Sequence, residues 1–149
     1  LDVHHGNGTA AIFADEARVF TFSMHQQHNY PMVKPPSDLD VGLRNGTGDE
    51  EYLERLSDGL DAVLGGHDPE LVFYLAGADP YRRDQLGGLG LTIEGLRRRD
   101  RAVLERCREA GAGVAVVLAG GYAVDTDDTV AIHAGTVEEA VGFGGRAAA

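Results

Sequence analysis

The chain has a single cysteine, Cys107, so it can neither close an internal disulfide nor offer the clustered thiolates of a structural zinc site. Basic residues are also few: 13 Lys and Arg stand against 24 Asp and Glu, a formal net charge of −11. Such a surface repels phosphate, which argues against non-specific binding of nucleic acid and leaves a small basic substrate possible. Apolar runs are no longer than strands, and nothing resembles a secretion signal or a membrane span. Neither nucleic acid nor membrane is expected as a partner, and the expected location is cytoplasmic. The chain opens at Leu1 without an initiator Met, which leads to the expectation of a back part of a larger protein.

What is present is enough for one domain or part of one: 149 residues, 43% of them hydrophobic. A short helix is expected over 9–16 with Thr9 as N-cap, and a strand over 18–24, rich in β-formers. Residues 25–49, with Pro31, Pro35, Pro36 and Asn45-Gly46, read as a long loop of the kind that rims a site. Leu53, Leu56, Leu60, Val63 and Leu64 recur at helical spacing over 50–64, and Gly65-Gly66 is expected to end that helix. Leu71 to Ala76 and Val114 to Ala119 are continuous apolar strands, as expected where both faces are covered. Thr92 is expected to cap a helix running to about Ala110 with Gly111 as terminator, a last helix spans 126–143, and Ala147–Ala149 form a tail. Alternating strands and helices indicate an α/β fold, a doubly wound parallel sheet incomplete at its N-terminus.

Three strands are then expected to end in Asp2-x-His4, in Gly77-Ala78-Asp79 and in Gly120-Gly121-Tyr122. In an open parallel sheet the carboxyl ends of the strands share one rim, where ligands bind. Asp2, His4 and Asp79 would supply one nitrogen and two carboxylates to a divalent ion and leave a position open, the arrangement of catalytic zinc. Two carboxylates make the set hard enough for Fe2+, Mn2+ or Co2+ as well. The Tyr122 hydroxyl suits hydrogen bonding to an oxyanion, and Gly120 and Gly121 would let that loop adjust.

Asp2-Val-His-His-Gly-Asn-Gly-Thr9, Gly77-Ala-Asp-Pro80 with Asp84, Leu86-Gly-Gly-Leu-Gly-Leu-Thr92 and Leu118-Ala-Gly-Gly-Tyr122 occur in one order. On these motifs the chain resembles the zinc-dependent histone deacetylase family, with its acetoin-utilisation and acetylpolyamine amidohydrolase relatives and their arginase-like fold. His28 to Pro31 and Gly46 to Leu53 look most like the class IV-type branch. The resemblance implies Asp2, His4 and Asp79 as zinc ligands and Tyr122 as transition-state hydrogen-bond donor. It implies a potassium ion held through Asp2, His4, Ser23 and Met24, and a second monovalent site near the carbonyls of Phe13 and Val19. His5 is expected in the second shell or on the rim. The implied substrate is a small-molecule or peptide acyl-amine, acyl-lysine or an acylated polyamine.

The family also places a tandem histidine pair upstream of the first zinc-binding strand, as general base and acid. The adjacent histidines here are His4-His5, inside the metal motif; His25, His28, His67 and His133 are isolated and expected in loops or on the surface. The expectation is therefore an active parent protein and an inactive isolated piece. An arginase-type binuclear manganese hydrolase is an alternative, but Pro80, Tyr81, Asn7 and Thr9 add no bridging carboxylate. A non-catalytic reader of acyl groups is another, against which the intact Asp2, His4, Asp79 and Tyr122 stand.

Overall fold

Parallel strands need crossover connections, and here the longer of them are built around helices. The computed structural model describes residues 1–144; the expected tail at 147–149 lies outside them. In chain order the elements are α1 (Asn7–Ile12), β1 (Phe22–Gln26), β2 (Leu39–Leu43), α2 (Asp49–His67), β3 (Leu71–Gly77), α3 (Ile93–Glu109), β4 (Gly113–Ala119) and α4 (Thr126–Gly144). β1 pairs in parallel with β2, and β3 in parallel with β4. Residues 1–3 lie between the two pairs. The Leu1 carbonyl accepts from the Gly77 amide at 3.0 Å, and the Val3 carbonyl accepts from the Gln26 amide at 3.0 Å. The spatial order is thus β2, β1, the Leu1–Val3 segment, β3, β4, and the mixed α/β class with parallel strands is as expected.

Local chemistry accounts for the boundaries. The Thr92 hydroxyl accepts from the Gly95 amide at 2.9 Å and caps α3 as expected. Gly111, at φ 74°, ends that helix, with the Ala112 amide returning to the Cys107 carbonyl at 2.9 Å. Other expectations are corrected. α1 starts after Gly6 rather than at Thr9 and stops at Ile12. The first strand begins only at Phe22, because the Thr21 amide and hydroxyl are held by the Asp38 carboxylate, each at 2.7 Å. The expected long loop contains β2, whose Leu-Asp-Val-Gly-Leu alternation is hidden among turn residues. α2 runs through Gly65-Gly66 to His67, and the left-handed stop is taken by Asp68 at φ 47°.

Tyr74 and Ala76 of β3 face the core, where α3 packs against both α2 and α4. Leu71, Phe73 and Leu75 point the other way and are exposed, Phe73 by 67%. The apolar strand is thus covered on one face by the described residues, where the sequence leads one to expect two.

The largest fully buried side chain among the described residues is a charged one. Arg99, on α3, has no exposure, and its Nε donates to Asp100 Oδ1 at 2.9 Å. The Tyr74 hydroxyl donates to the same oxygen, and the Thr136 hydroxyl of α4 donates to Asp100 Oδ2 at 2.6 Å. Arg99 Nη1 donates to the Gly77 carbonyl at 2.6 Å, at the end of β3. Burial raises the Tyr52 phenol nearby to about 12, against the opposing pull of the Arg99 charge. Removing one member of such a buried pair strands the other's charge, at a cost of about 3–5 kcal/mol. Arg99→Met should lower stability by roughly that amount in urea unfolding, whereas Thr136→Val should cost about 1 kcal/mol. Equal small losses in both would show that Arg99 does not hold the core together.

Candidate metal centre

The Leu1–Val3 segment is clamped from both sides, and this clamp brings Asp2 and His4 to the end of β3. The expected strand end at 2–4 is a bend instead. Asp2 Oδ1 accepts from the His4 amide at 2.8 Å, which turns the chain and folds the imidazole back over the carboxylate. His4 Nδ1 then lies 3.1 Å from Asp2 Oδ1 and 3.3 Å from Asp79 Oδ2. Asp79 Oδ1 is held by the Val3 amide at 2.9 Å, which locks the segments together. The three donors lie within 4.8 Å of one another, so the expected group of Asp2, His4 and Asp79 is brought together.

The electrostatics of this group are unfavourable without a cation. The Asp79 side chain is 2% exposed. Burial first, and the Asp2 carboxylate second, raise its pKa from 3.8 to about 7. The Val3 amide and the His4 ring act in the opposite direction. Gly120, at φ 60°, closes the other side: a Cβ there would collide with Asp79 Oδ2 and stand 3.1 Å from Asp2 Oδ2. Such a contact, together with left-handed φ, requires glycine. The chemistry of the donor set and the cradle around it fit a divalent ion. Zinc ligand bonds of about 2.0–2.2 Å in a tetrahedral site put neighbouring donor atoms about 3.4 Å apart, close to the spacings around His4 Nδ1.

Tyr122 sits on the loop that Gly120 and Gly121 start and is 60% exposed. Its amide donates to Asp84 Oδ2 at 2.6 Å, and its carbonyl accepts from the Gln85 amide and Nε2, both at 3.0 Å. Asp84 Oδ1 meanwhile accepts from the Leu86 and Gly87 amides at 2.8 Å. Asp84 therefore joins the glycine-rich turn to the Tyr122 loop, a role that its spacing after Asp79 does not reveal. The residues expected around the two monovalent sites lie in two places, as the two-site expectation has them. Ser23 Oγ accepts from the Gly6 amide at 3.2 Å, so Ser23 and buried Met24 lie in β1 beside the His4-His5 turn. Phe13 and Val19 lie in a separate turn around Glu16.

One histidine expectation is corrected. His25 is buried inside β1 rather than in a surface loop, because strand alternation turns it with Ser23 to the same side, its Nδ1 3.0 Å from Ser23 Oγ. Burial and the neighbouring His5 push its pKa below 6.5. His5, expected in the second shell or on the rim, has a side chain with no exposure, and its Nε2 lies 3.0 Å from Asp40 Oδ1. His133, on α4, places Nε2 3.3 Å from the Gly120 carbonyl, while His28 is exposed as expected.

The chain is similar to known proteins over most of its length. The model of the histone deacetylase domain matches residues 1–137. An uncharacterised protein of Picosynechococcus sp. is 50% identical over 133 residues, which cover 89% of this chain and 44% of that protein. Histone deacetylase 2 of Arabidopsis thaliana is 34% identical, over 82% of this chain and 32% of its own. Among solved structures, the HDA15 HD domain superposes with a TM-score of 0.78 at 26% identity, covering 95% of this chain and 44% of that one. The acetylpolyamine aminohydrolase of Burkholderia pseudomallei shares the fold, with a TM-score of 0.75 at 23% identity over 93% of this chain and 42% of that one. The chain spans less than half the length of each of these proteins.

The raised Asp79 pKa has a definite sign. The folded chain keeps a proton up to pH about 7 that the unfolded chain releases near 3.8, so ion-free stability declines as pH rises between those values. Asp79→Asn should abolish that decline, and saturating zinc should reverse it in the native sequence by displacing the proton. Thermal unfolding at pH 5 and pH 8, with chelator and with zinc, measures both. The same pH slope in the Asn variant would refute the assignment.

Proposed function

Because the chain belongs to the histone deacetylase family, we propose that it is the metal-holding part of a zinc-dependent amidohydrolase that removes acyl groups from acyl-lysine or acylated polyamines. The observation that carries this reading is the convergence of Asp2, His4 Nδ1 and Asp79, with one imidazole nitrogen 3.1 and 3.3 Å from two carboxylates. Zinc is the proposed ion, held by these three residues. When bound, it supplies Lewis acidity toward the acyl carbonyl. The carboxylate pair balances the ion's charge, and buried Asp79 keeps water from competing for its ligand atoms.

Tyr122 is proposed to donate its hydroxyl proton in a hydrogen bond to the oxygen that gains charge as the amide carbon becomes tetrahedral. Its exposed ring leaves the hydroxyl free for a substrate, while Asp84 fixes the backbone beneath it. Proton transfer to the leaving amine needs groups that His4 and His5 do not supply, since both are committed to carboxylates. The isolated chain is accordingly proposed to bind the ion without turnover. Monovalent cations, if held beside the site, would use Ser23 Oγ and the Met24 carbonyl. Mononuclear chemistry is favoured over a binuclear site because, among the described residues, no further carboxylate joins the Asp2–His4–Asp79 group.

The test is Tyr122→Phe in a protein of the relatives' length that carries these residues, assayed on acetyl-lysine peptides and acetylated polyamines. Loss of one donor to an oxyanion lowers kcat by about 10²–10³-fold. Zinc content should not change. Unaltered kcat on every acyl-amine tried would sink the role of Tyr122. Unaltered turnover in Asp79→Asn would sink the metal mechanism.

A further inference from the structure

Behind the first group lies a second set of metal-capable side chains that the proposed chemistry does not use. His5, His25 and Asp40 each offer a donor atom, and these lie within 4.8 Å of one another. They come from three different segments: the turn after Val3, β1 and β2. His5 Nε2 stands 3.0 Å from Asp40 Oδ1. The His5 and His25 rings are nearly perpendicular, at 88°, with centroids 4.7 Å apart. Two imidazoles bound to one zinc at about 2.0–2.1 Å hold their centroids about 5 Å apart, so these rings need little movement to share an ion.

The surroundings are those of a built site. Ser23 Oγ, 3.0 Å from His25 Nδ1, fixes the plane of that ring. The second oxygen of Asp40 accepts from the Ser37 amide at 2.9 Å, which orients the carboxylate. Outer partners of this kind orient metal ligands. Both histidines are buried, while the Asp40 side chain is 33% exposed and supplies a path from solvent. His5 Nδ1 is buried with no protein partner, so its ring is not closed into a purely structural hydrogen-bond network.

We propose that His5, His25 and Asp40 form a second divalent-ion site, with two imidazole nitrogens and one carboxylate as ligands and the remaining positions open to water. That donor set takes zinc, cobalt or ferrous iron rather than magnesium or calcium, which prefer oxygen alone. An ion there ties the turn that carries His4 to both β1 and β2. It thereby fixes the peptide that presents the imidazole of the first group, and the two sites stand back to back across one peptide bond.

Equilibrium dialysis of the chain against Zn2+ and Co2+, with elemental analysis, tests this directly. The expected stoichiometry is two ions per chain, falling to one in Asp79→Asn and to one in Asp40→Asn, and to none when both are combined. Asp40→Asn is the first choice because that side chain is partly exposed, and His25→Gln, checked for folding by circular dichroism, is the second. An Asp79→Asn chain that is folded and binds no ion overturns the proposal. A chain that binds one ion, kept in Asp79→Asn and lost in Asp40→Asn, overturns the first-site reading and leaves this one standing.

Discussion

The ion pair of Arg99 and Asp100, closed off from water, is the constraint on which the rest of the structure depends. A guanidinium placed there is tolerable only if acceptors face it, and Arg99 donates to the end of β3 and to the neighbouring carboxylate of its own helix. Gly77 closes β3, Asp100 lies on α3 itself, and Thr136 of α4 completes the carboxylate's partners. The helix layer and the strand that leads into Asp79 are thus fixed to one another by hydrogen bonds to a charge, which have stronger directional demands than apolar packing. Two residues beyond Gly77 the chain reaches Asp79. The rigidity of that short connection is what allows a buried carboxylate to be held against a second one.

Electrostatic tension at the rim is the counterpart of that rigidity. Asp2 and Asp79 are held near each other by backbone contacts, not by any attraction between them. The Val3 amide donates to the Asp79 carboxylate, and the Gly77 amide donates to the Leu1 carbonyl. The fold therefore imposes a cluster of like charge that the side chains would not form by themselves. Catalytic centres commonly perturb their acids in this way, and a cation is the simplest relief. Gly120 shows the same imposition in steric form, since its loop passes where a side chain would meet both carboxylates.

Much of this was legible in the sequence. Continuous apolar runs gave β3 and β4, Thr92 announced the start of α3, and the ordered motifs brought Asp2, His4, Asp79 and Tyr122 into one proposal. What was illegible has physical reasons. β2 is five residues long, with Asp40 and Gly42 at its alternate positions, and carries too little apolar signal to stand out between prolines. His25 reads as isolated because strand pairing, not sequence proximity, brings it to His5 and Asp40. The diglycine of α2 fails as a terminator because glycine permits a left-handed turn without compelling it, and Asp68 makes the turn instead. Asp84 carries no local sign that its two oxygens serve two different loops.

The open face of β3 has a consequence for how the molecule behaves in solution. Leu71, Phe73 and Leu75 form an apolar stripe along a strand, on a chain whose formal charge is −11. Attraction between stripes acts only at contact, whereas the repulsion between copies reaches about 10 Å at 0.1 M salt. Colloidal behaviour is then a contest between a short-range and a screened long-range force. In dilute buffer the charge opposes contact between copies; added salt shortens its reach, so any association through the stripes would be favoured by ionic strength as well as by concentration.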